Sequence, residues 1–237
     1  MRIDILTLFP GMFEGFIHES IVKRAILKGL VEINIVNIRD FTLLKNGQVD
    51  DTPYGGGSGM VLMCEPVVRA IESVKTAHAK VYLTSPQGKV FNDHLASEIY
   101  NSCKHLILVC GHYEGFDERI KNFVDGEISI GDYVLTGGEI PAMAISDALI
   151  RFIPGVIDTE SFRNDSFKDN LLDYPVYTKP RVFRGLEVPA ILLSGDHKKI
   201  AEYRKSEQIR VTKEKRPVLL KEVCNMGFTI RELKDTY

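Results

Sequence analysis

Cysteine is scarce in this chain, and the residues that occur are not arranged as metal ligands or disulfide partners. Four cysteines stand at positions 64, 103, 110 and 224 of the 237 residues, with no C-x-x-C pair and no histidine at zinc-ligand spacing. We therefore expect neither a disulfide framework nor a structural zinc site, and we interpret the cysteines as buried or neutral thiols. No other clustering of possible ligands indicates a metal site.

Long apolar runs are also missing. No run approaches the roughly 18 residues that a membrane-spanning helix requires, which argues against a membrane protein. The N-terminal stretch carries Asp4 within a short alternating strand pattern and does not resemble a signal peptide, so we expect a cytoplasmic location. A composition of 44% hydrophobic and 26% charged residues is typical of a globular protein.

The common nucleotide-binding loops are absent as well. The glycine run over residues 55–59 lacks the lysine of a P-loop, and Met60 stands where a G-x-G-x-x-G motif starting at Gly55 needs glycine. The run therefore matches neither the ATP-binding nor the NAD-binding motif. A loop that closes over a substrate and a plain solvent loop remain the two alternatives for this run.

The sequence that is present alternates between strand and helix patterns. Alternation of this kind predicts an α/β fold with a parallel sheet covered on both faces. The predicted strands are at 2–8, 31–38, 81–84, 106–110 and around 128, and the predicted helices are at 18–28, 65–78, 92–104 and 139–152, with a short helix after 116.

Three glycine-bearing loops follow predicted strands, at residues 85–88, 110–117 and 127–141. Glycine permits positive φ and lets a ligand approach the main chain. Loops at neighbouring strand ends therefore predict a pocket lined by backbone amides and carbonyls, which can read the edge of an adenine. Ordinary tight turns are the alternative for any one of these loops.

Charge is distributed unevenly along the chain. The net charge is −2, yet residues 179–221 contain 12 Lys or Arg and five Asp or Glu, a balance of +7 against −9 for the remainder. A basic segment of this kind is typical of a nucleic-acid contact, although a solvated helix face is the alternative. Residues 158–184 lose periodicity and predict a linker, and 185–237 predict a small helical domain with helices at 196–208, 217–225 and from 229 to the end.

An ordered set of short motifs runs along the chain. The motifs are PYGGG at 53–57, GHYEG at 111–115, IGDYVL at 130–135, GGEIPA at 137–142, RFIPG at 151–155 and LLSG at 192–195. Together they resemble those of the bacterial tRNA (guanine-N1)-methyltransferases, which modify the guanine 3′ to the anticodon, and the similarity extends from residue 1 to about 217. Three positions depart from residues frequent in that family: Ser58 stands for Pro, His112 for Arg and Thr136 for Ser.

The resemblance implies the SPOUT fold, an α/β parallel sheet tied into a deep trefoil knot, with a small all-helical C-terminal domain. Local patterns alone favour an unknotted sheet, because knots are almost absent from folds in general. The implied division is a knotted catalytic domain at 1–157, a flexible linker at 158–184 and a tRNA-binding domain at 185–237. The implied activity transfers the methyl group of S-adenosyl-L-methionine to N1 of guanine 37 of tRNA. The implied assembly is a homodimer with the active site at the subunit interface, and the enzyme could depend on Mg²⁺.

The resemblance also implies roles for individual residues. Asp165 would be the general base that removes the N1 proton, and Arg151 would stabilise negative charge on O6. From the residues alone, Asp165 could instead form an Asx turn, Arg151 could be a cation at a helix C-terminus, and Glu114 could cap a helix. The implied cofactor residues are Pro86, Gly111, Tyr113, Glu114, Gly115, Ile130, Gly131, Asp132, Tyr133, Val134, Leu135, Gly137, Gly138 and Pro141.

Candidate RNA contacts follow from charge and location. Two rival functions share part of this pattern: a knotted ribose 2′-O-methyltransferase, which needs no base-deprotonating aspartate, and a non-catalytic RNA-binding protein that uses the basic C-terminal helices alone. The candidate contacts are Ser166, Lys179, Arg181, Arg184, His197, Lys198, Lys199 and Arg204.

Overall fold

The computed structural model describes residues 1–158, 161–162 and 165–220. The chain divides into two compact units, Met1–Asp158 and Thr159–Tyr237. The predicted end of the first domain, at residue 157, stands one residue from this division. The use of residues 158–184 as a linker stays a prediction. Residues 217–220, the start of the helix predicted at 217–225, are helical, whereas the rest of that helix and the helix predicted from 229 lie outside the described residues.

The first unit is built on a five-stranded parallel sheet in the order β2-β1-β6-β5-β7. This confirms the parallel α/β sheet predicted from the alternating pattern. The elements are β1 (Arg2–Thr7), α1 (Glu14–His18), α2 (Ser20–Leu27), β2 (Glu32–Asn37), β3 (Asp50–Asp51), β4 (Val61–Leu62), α3 (Cys64–Val74), β5 (Ala79–Val90), α4 (Asp93–Ser102), β6 (His105–Cys110), β7 (Gly126–Ser129) and α5 (Glu139–Ile150), with 3-10 helices at Pro10–Phe13, Ile38–Phe41 and Glu118–Phe123.

Hydrophobic side chains cover both faces of the sheet. Strand β6 is central and every one of its residues is buried. Leu106 and Leu108 join the cluster formed with α2, α4 and α5. Ile107 and Val109 point the other way and join the cluster formed with α3. Alternate residues therefore pack into opposite cores, which is why the strand is apolar from Leu106 to Cys110.

Strand β5 differs from its prediction. The sequence predicts a strand at 81–84 followed by a loop, whereas β5 extends from Ala79 to Val90. Its pairing with β7 skips residues 85–88, because Ile128 pairs with both Thr84 and Lys89. A bulge absorbs Ser85 to Gly88, which include a proline that cannot donate to the ladder. The predicted loop is thus an interruption within one strand.

The glycine run at residues 55–59 is the tip of a small excursion whose base is held by a two-residue antiparallel ladder. Asp50 pairs with Leu62 and Asp51 with Val61. The short strands were not predicted, since two residues show no periodicity. Four glycines of the run, at 55, 56, 57 and 59, adopt positive φ, which only glycine accepts easily.

The second unit contains one long helix, α6 (His197–Lys215), and a two-residue hairpin formed by β8 (Val182–Phe183) and β9 (Leu186–Glu187). Arg184 and Gly185 turn the hairpin with positive φ. Asp196 caps α6 by accepting a hydrogen bond from the Lys199 amide. A 3-10 helix, Ala190–Leu193, precedes α6. An all-helical C-terminal domain stays a prediction, since β9 lies within it and the final residues are not described.

Residues 165–173 fold onto α6 within this second unit. The Leu172 amide donates to Thr212 Oγ1 at 2.9 Å, and Leu171 is buried. Phe167 adopts a positive φ of 73°, and its amide donates to the Leu171 carbonyl. Arg204 lies over the ring of Tyr174, 4.8 Å from its centroid. Side chains of α6 thus hold part of the segment that carries Asp165.

Candidate functional site

A cavity of about 340 Å³ opens at the bulge of β5 and at the carboxyl ends of β6 and β7. The carboxyl ends of parallel strands are the usual place for a ligand in an α/β sheet. Its walls come from the bulge of β5, the loop after β6 and the segment between β7 and α5. The lining residues are Thr84, Ser85, Pro86, Gln87, Gly111, His112, Tyr113, Glu114, Gly115, Phe116, Glu118, Lys121, Glu127, Ile128, Ser129, Ile130, Gly131, Tyr133, Val134, Leu135, Thr136, Gly137, Gly138 and Pro141.

Thirteen of the fourteen predicted cofactor residues line this one cavity. The exception is Asp132, which is exposed and does not belong to the lining. Its neighbours Gly131 and Tyr133 both line the wall, so Asp132 alone of the block at 130–135 does not contribute to the lining. The chain thus brings together positions that are up to 55 residues apart, from Pro86 to Pro141.

The loop after β6 is held by backbone hydrogen bonds to the base of the glycine excursion. The Glu114 amide donates to the Met60 carbonyl at 2.9 Å, and the Leu62 amide donates to the Gly115 carbonyl at 3.0 Å. Tyr113 adopts a positive φ of 58°, which is unusual for a side chain of its size. A Cβ at Gly59 would clash with the Glu114 side chain. The run at 55–59 therefore supports the cavity wall.

The segment between β7 and α5 passes close to the ends of the two central strands. The Gly138 amide donates to the Gly111 carbonyl at 2.8 Å. A Cβ at Gly138 would clash with Thr84 Oγ1 and would lie 2.7 Å from the Cα of Cys110. Only glycine fits this passage, because no side chain can occupy the space between the neighbouring strands.

Charged side chains at the cavity are mainly acidic. Lys121 Nζ lies 2.9 Å from Glu118 and 3.2 Å from Glu127, and it donates to Gln87 Oε1 at 3.2 Å. The hydrogen bond to Glu118 raises the pKa of Lys121, which therefore stays cationic. Glu114 adds a third carboxylate to the lining. Three carboxylates against one ammonium favour a ligand with positive charge.

A buried carboxylate stands behind the wall. Glu139 is the first residue of α5 and is 1% exposed. Its Oε2 lies 2.7 Å from His112 Nε2, and its Oε1 accepts a hydrogen bond from Thr7 Oγ1 at 2.6 Å. His112 lines the cavity, so Glu139 is in contact with a lining residue without lining the cavity itself.

Eleven lining residues are not among the fourteen named cofactor positions. Eight of them lie within the three loops predicted to line a pocket, so the loops were identified but not every side chain. Thr84, Glu118 and Lys121 lie outside those loops, and Glu118 and Lys121 required the structure because they belong to a 3-10 helix that was considered only as a short helix. The eleven residues are Thr84, Ser85, Gln87, His112, Phe116, Glu118, Lys121, Glu127, Ile128, Ser129 and Thr136.

The two predicted catalytic residues belong to different units. Arg151 is half-buried in the first unit, where it ends α5 and its amide donates to the Asp147 carbonyl at 3.3 Å. Asp165 is half-buried in the second unit, at a bend. Their roles as base and charge stabiliser stay predictions.

The predicted RNA contacts fall into an exposed group and one exception. Seven are exposed, and Arg184 occupies the tip of the β8–β9 turn. Lys199 Nζ lies 3.1 Å from Asp196. Ser166 is half-buried, and its hydroxyl accepts a hydrogen bond from the Asp173 amide at 3.0 Å. The exposed members are Lys179, Arg181, Arg184, His197, Lys198, Lys199 and Arg204.

The part of the chain that the structure describes holds neither a group of metal ligands nor a membrane-spanning helix. Within residues 1–158, 161–162 and 165–220, no three His, Cys, Asp or Glu side chains are grouped to hold a metal ion. Over the same ranges, no helix combines the length and apolarity needed to cross a membrane.

Comparison with known proteins gives extensive matches. A family model described as tRNA (Guanine-1)-methyltransferase TrmD matches residues 1–222. Relatives named tRNA (guanine-N(1)-)-methyltransferase include one from Malacoplasma penetrans, 56% identical over 213 residues, which covers 90% of this chain and 94% of the relative. One from Dictyoglomus turgidum is 54% identical over 221 residues, covering 93% and 90%. One from Staphylococcus epidermidis is 50% identical over 240 residues, covering 100% and 97%.

Proposed function

The chain belongs to the tRNA (guanine-1)-methyltransferase family, and on that premise we propose that it transfers the methyl group of S-adenosyl-L-methionine to N1 of guanine 37, 3′ to the anticodon. Methylation of guanine N1 in tRNA follows from the family. The methyl donor, the position of the guanine and the roles of individual residues form the proposal. Its main support is the single cavity that gathers thirteen predicted cofactor residues.

The cavity suits S-adenosylmethionine in size and charge. About 340 Å³ is within the range of small-molecule sites, which starts at roughly 300 Å³. When bound, the donor supplies an electrophilic methyl group on a cationic sulfonium. The carboxylates of Glu114, Glu118 and Glu127 favour a cation, and the close backbone passages at Gly111 and Gly138 leave amides and carbonyls for recognition of the adenine.

Proton removal is the chemical task left to the protein. Guanine N1 carries a proton and is a poor nucleophile at neutral pH until that proton leaves. Asp165 would accept it, and the guanidinium of Arg151 would stabilise the negative charge that develops on O6. Because Asp165 belongs to a different unit from the cavity, tRNA binding would complete the site by induced fit.

The second unit would bind tRNA through its exposed cations. Arg184 at the hairpin tip and Lys198 on α6 are exposed and can reach phosphates. Arg204 is also exposed, and its packing against Tyr174 holds the guanidinium in one place. Lys199 is weakened as a phosphate contact by its pairing with Asp196.

The finer architecture follows from the family resemblance. We propose that residues 84–141 form a trefoil knot, which the tight passage of Gly138 against Thr84 and Gly111 supports. Two copies of the chain would form a homodimer, with residues 158–184 and the C-terminal domain of one subunit completing the pocket of the other. The enzyme would act in the cytoplasm, and dependence on Mg²⁺ is a further expectation.

Transfer of a labelled methyl group, followed by mapping of the product, tests the proposal. The purified protein is incubated with tRNA and S-adenosylmethionine that carries a labelled methyl group, and the tRNA is digested for mass spectrometry. We expect 1-methylguanosine at position 37. Label on a ribose 2′ oxygen would indicate the rival methyltransferase, and a folded protein that incorporates no label would support RNA binding alone.

A further inference from the structure

Glu139 is a buried charged side chain to which the proposed chemistry gives no task. Burial of a carboxylate is costly unless it is paired and hydrogen-bonded. Here Thr7 Oγ1 donates to one oxygen and His112 Nε2 bonds the other, at 2.6 and 2.7 Å. The N-terminus of α5, where Glu139 is the first residue, adds favourable partial positive charge. The carboxylate is therefore well accommodated.

The bonds of Glu139 join three separate parts of the chain. Thr7 is the last residue of β1, His112 belongs to the loop after β6, and Glu139 begins α5. The other face of this junction is fixed by Phe9, whose amide donates to Thr7 Oγ1 and whose ring lies 4.8 Å from the imidazole of His112. Of these residues His112 alone lines the cavity. A displacement of Thr7, Phe9 or Glu139 would therefore reach the cavity wall through His112.

Close packing prevents the junction from rearranging easily. A Cβ at Gly137 would clash with the His112 imidazole and would lie 2.6 Å from Glu139 Oε2. The loop that begins at Gly111 is bonded to Gly138 just ahead of α5. Loss of the carboxylate would leave the imidazole without the partner that holds it, next to Tyr113 and Glu114 on the cavity wall.

We propose that Glu139 is a positioning residue: through His112 it holds the loop over residues 111–115 in the conformation that binds S-adenosylmethionine. The inference rests on the proposed function, because it assigns the cavity to that donor. Glu139 does not touch the ligand. Its effect should therefore appear in cofactor affinity and should depend on the presence of His112.

A second carboxylate–imidazole pair supplies the matched control. His105 Nε2 lies 2.8 Å from Asp4 Oδ2, and both side chains are buried, 8% and 0% exposed. The pair occupies the opposite end of β6, and neither residue lines the cavity. His105→Ala thus removes a buried imidazole from an equivalent bond without touching the proposed site.

The test measures S-adenosylhomocysteine affinity by calorimetry for the wild type and for E139A, E139Q, H112A, H105A and the E139A/H112A double variant. We expect E139A and H112A to weaken binding about tenfold, and the double variant to bind no more weakly than H112A. E139Q should stay within about threefold, since glutamine can bond both Thr7 and the other histidine tautomer. H105A should keep wild-type affinity. With saturating tRNA and varied S-adenosylmethionine, E139A should raise KM for S-adenosylmethionine more than it lowers kcat.

The outcomes separate the inference from the function on which it depends. Wild-type affinity in a folded E139A would overturn the inference while leaving the proposed function intact. If E139A does not fold, wild-type affinity in H112A would overturn it, and a loss in H112A with retention in E139Q would support it. Additive losses in the double variant would contradict action through His112. A wild-type protein that fails to bind S-adenosylhomocysteine would contradict the proposed function, and the inference with it.

Discussion

A carboxylate–imidazole pair with a buried carboxylate lies at each end of strand β6, and the two pairs differ in what surrounds them. At the amino end, Asp4 receives two hydrogen bonds from Arg2, one from Asn34 and one from His105. At the carboxyl end, Glu139 is bonded by Thr7 and His112. The carboxylate of Asp4 thus accepts four hydrogen bonds, whereas the carboxylate of Glu139 has two partners.

Because their surroundings differ, we expect the amino-end pair to contribute to stability and the carboxyl-end pair to contribute to function. The amino-end network joins β1, β2 and β6, and His105 Nδ1 bonds Thr76 at 2.8 Å, so all its partners are structural. The carboxyl-end pair connects elements that form the cavity. We infer that loss of the first lowers the free energy of unfolding, whereas loss of the second lowers cofactor affinity.

The largest effect is expected from a change that touches neither pair. Asp165→Asn removes the proposed base, so kcat should fall by about 10² to 10⁴-fold. S-adenosylhomocysteine affinity and the thermal midpoint should match the wild type. The measurement is methyl transfer to tRNA at saturating cofactor.

Asp169→Asn is the control for that prediction, because Asp169 lies in the same segment and is exposed. It should retain turnover. Near-normal kcat in Asp165→Asn would show that another group removes the proton.

The next largest effect is expected from a substitution that breaks the hydrogen-bond network around Asp4 at the amino end of β6. Asp4→Ala leaves His105 and the half-exposed Arg2 without their acceptor, and the free energy of unfolding should fall by about 2–4 kcal/mol. Urea denaturation measures it. Affinity for S-adenosylhomocysteine should change less than twofold. A loss of affinity as large as that of Glu139→Ala would abolish the distinction between the two ends.

A smaller effect is expected on the pH dependence of stability, through the carboxylate of Asp125. Burial raises the pKa of Asp125, but hydrogen bonds from Lys80 and the Val81 amide outweigh burial and hold that pKa below its usual value. The stabilisation is thus complete above the unfolded pKa of about 3.9 and is lost as pH falls through the lower folded pKa. Asp125→Asn should flatten the acid branch of stability, as followed by urea denaturation at pH 3 to 6. An unchanged slope would show that Asp125 does not contribute.

The smallest effect concerns the thiols. Burial, and to a lesser extent the charge of Glu139, raises the pKa of Cys110 well above its ordinary value, and burial raises that of Cys103. Both should resist iodoacetamide in the folded protein at pH 8, and of the three cysteines that the structure describes the half-buried Cys64 should react first, although burial raises its pKa as well. Peptide mass spectrometry before and after addition of urea measures the labelling. Early modification of Cys110 would show that the carboxyl end opens.

Local patterns predicted the parallel sheet and most helix positions, because strands such as β6 and the cap at Asn92 depend on nearby residues. The bulge in β5 was not predictable, since it depends on the pairing of Ile128 with two residues of another strand. The hydrogen bond of Lys121 to Gln87 and the contact of Glu139 with Thr7 join residues 34 and 132 positions apart in sequence. The glycine loops were identified from sequence, while the side chains that support them required the fold.

The most direct test of the cavity compares two glycine substitutions by calorimetry with S-adenosylhomocysteine. A Cβ at Gly138 would clash with Thr84 and crowd Gly111, whereas a Cβ at Gly15, in α1, meets nothing within 4 Å. We predict that Gly138→Ala weakens binding at least about a hundredfold while Gly15→Ala binds like the wild type. A folded Gly138→Ala protein with wild-type affinity would contradict the placement of the cofactor between these strands.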